Sequence, residues 1–297
     1  MTIYTYELHI APKQTHPIRL QDYGVGIFTA APSKSALKKA IKRKQILVNE
    51  LPATTAMYIK EGDRIELRIP LSQTRHKAFQ LELNSLYEDE HLAIIHKPAG
   101  VLTSGNSFKT IANALAENLK TSTEPDALLP QPAHRLDFAT TGALAIGKTR
   151  NALHKLNQAF EKQQVKKVYY AICIGNLSEY GTIDFPVDGK EAKTFYKVID
   201  CVDSPRFGQL QLVQLSPITG RRHQLRKHLY AMGNPILGDP TYYNENHILK
   251  GKGLYLHAYS LRLQHPGTGE DLYVVDPLPK RFRKIFDCDL PNDFLLW

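Results

Sequence analysis

Residues 134–142 read HRLDFATTG, and residues 143–147 continue as ALAIG. One carboxylate, Asp137, stands two residues after the cation Arg135 and just before a run of small hydroxylated residues that ends in Gly142. Thr140, Thr141 and Gly142 favour a turn, because short hydroxylated side chains bond nearby backbone and glycine tolerates dihedrals that other residues avoid. ALAIG is a short apolar run of the kind that forms a buried strand. Asp137 is therefore expected on a loop entering a core strand, where a rigid scaffold can hold a reactive group. Taken alone, an Asp in such a loop most simply pairs with Arg135 or caps a backbone amide.

Three further stretches change that reading. HKPAGVL occupies residues 96–102, KKVYYAICIG residues 166–175, and TGRRHQLRKHL residues 219–229, the last followed by GNPILGDPTY at 233–242. Together with HRLDFATTG, in this order, they resemble the RluA family of pseudouridine synthases over roughly residues 86–280. The resemblance implies an α+β fold with a mixed, mainly antiparallel sheet, and an enzyme that isomerises uridines in RNA without a cofactor or metal. It implies Asp137 as the catalytic carboxylate, Tyr169 as the active-site tyrosine with Lys167 two residues before it, and Arg226 as the ion-pair partner of Asp137. Arg135 is implied to fill the gap left by a displaced base, and His134 to lie on the substrate side. Lys97 is expected either to contact phosphate or to be a surface lysine. The chain departs from the family at Phe138 and Ala139, usually polar, and at Thr141, usually Ser. These positions bear on substrate contacts more than on the carboxylate.

The chemistry fits those residue types. Pseudouridine formation breaks the bond from uracil to ribose, turns the base over and joins its carbon 5 to the sugar. The carboxylate must be ionised, and burial alone would raise its pKa from about 3.9. A neighbouring arginine favours the anion, and its planar fork suits bidentate contact. Tyr169 offers a flat ring to the uracil face. A non-catalytic RNA-binding or ribosome-assembly protein that retains the fold is the alternative, but it would have no need of Asp137, Tyr169 and Arg226 together. A carboxylate-dependent glycosidase would want a paired acid, and HRLDFATTG offers one carboxylate.

The 297 residues suggest two domains, and a formal net charge of +9 favours an anionic partner. No apolar run of about 18 residues, the length a membrane-spanning helix needs, occurs. The N-terminus has no secretory signal pattern, and Cys173, Cys201 and Cys288 are odd in number and widely spaced, which suits a reducing cytosol. The expectation is a cytoplasmic monomer.

Residues 1–16 are expected as an edge strand or an N-terminal extension. Within 17–72, Ser33 can cap a helix beginning SKSALKKAIKRKQ, with Leu37, Ala40 and Ile41 on one side and Lys38, Lys39, Lys42, Arg43 and Lys44 over the rest. ILVNEL reads as a strand with a turn at Asn49-Glu50. This segment resembles the alpha-L RNA-binding domain, which implies a basic face laid on the phosphate backbone of structured RNA. Ribosomal RNA is favoured as partner, with transfer RNA open. Residues 73–85 are expected as a linker and 86–297 as the catalytic domain. There, helices are expected at 110–120 and 149–164, a buried strand at 168–175 with Tyr169 and Tyr170 on opposite faces, and a helix beginning at Thr219 or Gly220 and stopping at Gly233.

Overall fold

The computed structural model describes residues 4–28, 30–70, 79–243, 249 and 251–290. The chain divides into two compact units, Met1–Arg75 and His76–Trp297.

In the first unit the strand Tyr4–Ile10 pairs antiparallel with Arg64–Pro70, so the N-terminal residues form the edge strand of a small sheet. That sheet continues through Ile46–Val48 to Leu51–Pro52. Asn49 and Glu50 join the last two strands with φ of 48° and 70°. Two successive positive φ values give the turn whose twist matches that of the flanking strands. The helix Lys34–Lys42 starts where Ser33 accepts a hydrogen bond from the Ala36 amide at 3.2 Å. Its Leu37, Ala40 and Ile41 pack on Leu20, Phe28, Ile46 and Ile65, and that apolar stripe turns Lys38, Lys39 and Lys42 outward.

The second unit is built on one large mixed sheet. Its order is Tyr180–Ile183, Thr194–Ser204, Gly208–Pro217, Lys166–Ile174, Leu256–Gln264, Thr141–Thr149, Leu92–Lys97, Ser85–Glu88, with Asp271–Val275 and Ala127–Pro132 pairing beside it. Every pairing between the described strands of this sheet is antiparallel except one, where Thr141–Thr149 runs parallel to Leu256–Gln264. At this seam Gly142 lies opposite Ala258 with φ of 123°, and a β-carbon there would sit 2.3 Å from the Ala258 carbonyl oxygen. Only glycine allows the two backbones to close on each other. Ala258 is also the partner of Tyr169 on its other side. The seam therefore brings the end of the HRLDFATTG loop and the start of the KKVYYAICIG strand to either side of a single residue.

All of Thr141–Thr149 is buried, because both faces of the strand are covered. Leu144 and Ile146 pack towards the helix Ile111–Asn118, and Ala143 and Ala145 towards the helix Arg150–Glu161. The largest core lies under Lys166–Ile174 and Gly208–Pro217, where Leu225 and Leu229 of the helix Gln224–Ala231 join Phe282 and Phe286.

Two expectations are corrected here. Part of the stretch read as a linker lies outside the described residues, but Phe79, Leu81 and Leu83 pack into the catalytic core, with the Leu83 amide donating to Asn118 Oδ1 at 2.8 Å. The helix expected from Thr219 or Gly220 begins only at Gln224, because the Gln224 side chain ties the preceding turn from inside. Its Oε1 accepts from Thr219 Oγ1 at 2.7 Å and from the Arg221 amide at 3.0 Å. Gly233, with φ of 79°, ends that helix as expected.

Candidate active site

Asp137 is fixed by the backbone around it. The Thr140 amide donates to the Asp137 carbonyl at 3.1 Å and the Gly100 amide to the Phe138 carbonyl at 2.8 Å. Thr103 Oγ1 donates to the Leu136 carbonyl at 3.0 Å. Lys97 completes the clamp. Its ammonium is buried and donates to the carbonyls of Pro98 at 2.9 Å, Thr140 at 2.9 Å and Phe138 at 3.4 Å. Burial pushes its pKa down to about 8, against the opposing pull of Asp137. Lys97 is thus a fastener of the loop with no exposed face, which corrects both expectations for it, a phosphate contact and a surface lysine.

His134 is corrected in the same way. Its Nε2 accepts the Ala145 amide proton at 3.0 Å and its ring stacks on Phe160 with centroids 4.2 Å apart. Burial, helped by nearby Lys167, drives its pKa down to about 3. It is a neutral acceptor that ties the HRLD segment to the strand after it. His134 also lines the cleft, with its Nε2 taken up by the Ala145 amide.

A cleft of about 590 Å³ opens beside this loop, lined among others by Arg135, Asp137, Lys167, Tyr169, Arg222 and His223. Tyr169 and Tyr170 point to opposite faces, as strand alternation requires. Tyr170 is fully buried and accepts from Gln214 at 2.9 Å. Tyr169 faces the cleft, and burial together with the charge of Asp137 raises its pKa well above the ordinary phenol value. Tyr169 is a neutral phenol at any physiological pH, a surface for a base and a donor of one proton. Lys167 also lines the cleft, with its pKa pushed down to about 8 by burial. Arg135 is exposed at the rim.

Arg226 reaches Asp137 through Nη1, 3.8 Å from Oδ2. Its fork is engaged elsewhere, with Nε donating to Asp239 Oδ2 at 2.7 Å and Nη2 to Asp239 Oδ1 at 2.6 Å. The bidentate contact expected for Asp137 belongs to Asp239. Burial lowers the Arg226 pKa, but the bond to and charge of Asp239 outweigh it and the net shift is upward. The other oxygen of Asp137 faces His223, whose Nε2 is 3.8 Å from Oδ1. The carboxylate thus stands between two nitrogen groups, close enough to feel both and bonded to neither.

The basic residues Lys38, Lys39, Lys42 and Arg43 are exposed in the first unit, where Lys34, Lys38, Lys39 and Lys42 border a shallow groove. Among the described residues no cluster of three or more His, Cys, Asp or Glu side chains is arranged to hold a metal. No helix of the described residues is long and apolar enough to cross a membrane.

Comparison with known proteins shows the family. Residues 91–231 match the family model for RNA pseudouridylate synthase. The chain is 33% identical over 276 residues to the ribosomal large subunit pseudouridine synthase D of Nitrosomonas europaea, covering 83% of this chain and 77% of that protein. The chain belongs to the RluA family of RNA pseudouridine synthases. It is also 31% identical over 300 residues to the ribosomal large subunit pseudouridine synthase C of Rickettsia prowazekii, covering 90% of this chain and 96% of that protein. Among solved structures it is similar to human RNA pseudouridylate synthase domain containing 4, with 28% identity, a TM-score of 0.56, and coverage of 70% of this chain and 95% of that one. The protein is an RNA pseudouridine synthase with an α+β catalytic domain.

The cleft thus presents a loop-held carboxylate, a flat neutral phenol, and the buried Arg226 cation 3.8 Å from that carboxylate. Sequence reading missed His223, Asp239 and Tyr242. The last two stand in the quoted GDPTY, and His223 precedes Gln224 in the quoted TGRRHQL. Reading 219–223 as helix hid His223, because helical geometry points it differently from the left-handed backbone it has.

Proposed function

We propose that this pseudouridine synthase isomerises specific uridines of ribosomal RNA, using Asp137 on the target nucleotide, with Tyr169 against the base and Arg226 beside the carboxylate. The observation that supports the site assignment is that Asp137 and Tyr169 line one cleft while Arg226, from a third sequence motif, stands 3.8 Å from the Asp137 carboxylate. Relatives named for the large ribosomal subunit support ribosomal RNA over transfer RNA.

The target base must leave its stack to meet a carboxylate held this deep, a step that costs a few kcal/mol and least in loops. In this reading exposed Arg135 at the rim fills the vacated position, and Lys167, which lines the cleft, meets the incoming nucleotide. In the first unit, residues 17–72 act as an alpha-L RNA-binding domain. Lys38, Lys39, Lys42 and Arg43 lie along its helix as phosphate contacts, which position an RNA without reading its sequence. The working form is a cytoplasmic monomer.

The test is to map pseudouridine in cellular RNA from cells with the protein, without it, and with Asp137→Asn in its place. One or more ribosomal positions should lose the modification equally in the last two. A full ribosomal pattern in the deletion, or modification persisting with Asp137→Asn, overturns the reading.

A further inference from the structure

His223 has a backbone that is costly for its residue type. It sits at φ 56° and ψ 24°, in the left-handed region, at the residue before the helix Gln224–Ala231. Its side chain does not cap that helix, although its carbonyl accepts the Lys227 amide at 2.9 Å. A non-glycine residue persists in this conformation where the surrounding structure over-determines it, and such residues gather at functional sites. Here the result is that the imidazole points at Asp137, with Nε2 3.8 Å from Oδ1.

The other side of the ring is anchored. Tyr242 Oη lies 3.0 Å from His223 Nδ1, and the two rings meet edge to face, 81° apart with centroids at 5.7 Å. The Arg226 guanidinium carbon stands 4.9 Å over the Tyr242 ring. A hydroxyl that donates to Nδ1 leaves the proton on Nε2, the nitrogen that faces the carboxylate. The opposite tautomer would aim a lone pair at an anion. Tyr242 is in turn held through its own amide, which donates to Asp239 Oδ1 at 3.0 Å. One short turn, GDPTY, therefore fixes both groups that face Asp137: Asp239 holds Arg226, and Tyr242 holds His223.

We infer that His223 is a positioning residue for Asp137. Its Nε2–H takes one carboxylate oxygen while Arg226 takes the other, so that the carboxylate meets the target nucleotide in a single orientation. The two 3.8 Å approaches are the open form of contacts that tighten when the nucleotide fills the cleft, as catalytic hydrogen bonds commonly do. The inference rests on the pseudouridine synthase reading and adds a role that acts through Asp137 rather than on the RNA.

The experiment is single-turnover kinetics with the full-length protein and a stem-loop transcript containing the uridine located by mapping. Asn and Gly both tolerate the left-handed backbone, so His223→Asn and His223→Gly keep the fold, which matched thermal unfolding midpoints verify. Each should slow the chemical step at saturating RNA by about 30- to 100-fold, the cost of a misplaced catalytic group. Half-saturation by RNA should stay within about threefold, since uniform binding is untouched. Tyr242→Phe should slow the step less, and adding it to His223→Asn should slow it no further. A His223→Asn rate within about threefold of the parent, an effect confined to half-saturation, or multiplicative losses in the double variant each overturn the inference. A parent protein that makes no pseudouridine overturns the activity as well, so the two failures are told apart.

Discussion

Arg226 donates to both oxygens of Asp239, at 2.7 and 2.6 Å, while its remaining nitrogen stands 3.8 Å from Asp137. The arginine is thus held by Asp239 through both fork positions and presents one further nitrogen to the carboxylate proposed to act on the nucleotide.

Removing Asp239 should show this. The side chain of Asp239 is fully buried, so Asp239→Ala leaves the Arg226 cation without its partner in the interior. The expected loss is about 3–5 kcal/mol of stability, the usual cost of breaking a buried pair from one side. The double variant Arg226→Met with Asp239→Leu should recover most of that stability and remain inactive. Denaturant unfolding and a pseudouridine assay on the same samples check both halves. A stable but equally active Asp239→Ala would show that the pair matters to neither. Arg226→Lys, which keeps charge and loses the fork, should fall well below Arg222→Lys, since Arg222 is exposed at the rim.

Gly142 supports the parallel seam. Gly142→Ala combines φ of 123° with a β-carbon 2.3 Å from the Ala258 carbonyl oxygen. The expected cost is roughly 3 kcal/mol or more, since strain and overpacking add. In a domain of this size that lowers the unfolding midpoint by about 6–12 °C. Gly208→Ala is the comparison, with φ of 76° but nothing within 4 Å of the added carbon. It should cost about 1–2 kcal/mol. Equal midpoints for the two variants would mean the seam relaxes freely.

Acid should destabilise the catalytic unit before its carboxylates protonate. His134 and His257 are held neutral, with pKa values pushed down from 6.5 to about 3 and about 4 by burial. In both, the folded pKa lies below the unfolded one, so the unfolded chain binds more protons in this window. Stability is therefore complete above pH 6.5 and falls as pH drops towards 4. Each group adds a slope approaching about 1.4 kcal/mol per pH unit. His134→Gln keeps an acceptor for the Ala145 amide and removes the titration, so its stability should vary less with pH. Urea midpoints at pH 7, 6 and 5 compare the two; parallel curves would show that His134 titrates normally.

The basic helix should be read through salt. Binding that neutralises phosphates weakens with a log–log slope of about −0.7 per single-strand contact. Changing Lys38, Lys39 and Lys42 together to Gln should flatten the slope for structured RNA by about 2. The rate of the chemical step at saturating RNA should hold. An unchanged slope would remove this face from the RNA contacts.

HRLDFATTG, read with its following ALAIG, places a carboxylate on a loop entering a buried strand, and the structure has that loop and strand. Local chemistry suffices there, because turn residues and an apolar run act within a few positions of each other. The Ser33 cap, the Asn49-Glu50 turn and the opposed faces of Tyr169 and Tyr170 are legible for the same reason. The resemblance singled out Asp137, Tyr169 and Arg226 together, which local reading alone could not have joined across such separations.

What tertiary structure decided is what each polar group touches. Lys97 looks like any surface lysine in sequence, yet its ammonium bonds three carbonyls of loops that meet only in the fold. The partner of Arg226 could be Asp137 or Asp239 as far as charge and spacing go. The choice falls to Asp239 because the GDPTY turn follows the arginine's own helix and lands against it, while Asp137 arrives from across the parallel seam. His223 changed from an unremarked helical residue to a ring aimed at Asp137 once the Gln224 side chain claimed the preceding turn. Periodicity records which side of an element faces inward; it carries no record of which atoms meet there, since those contacts join residues whose separation along the chain leaves no pattern.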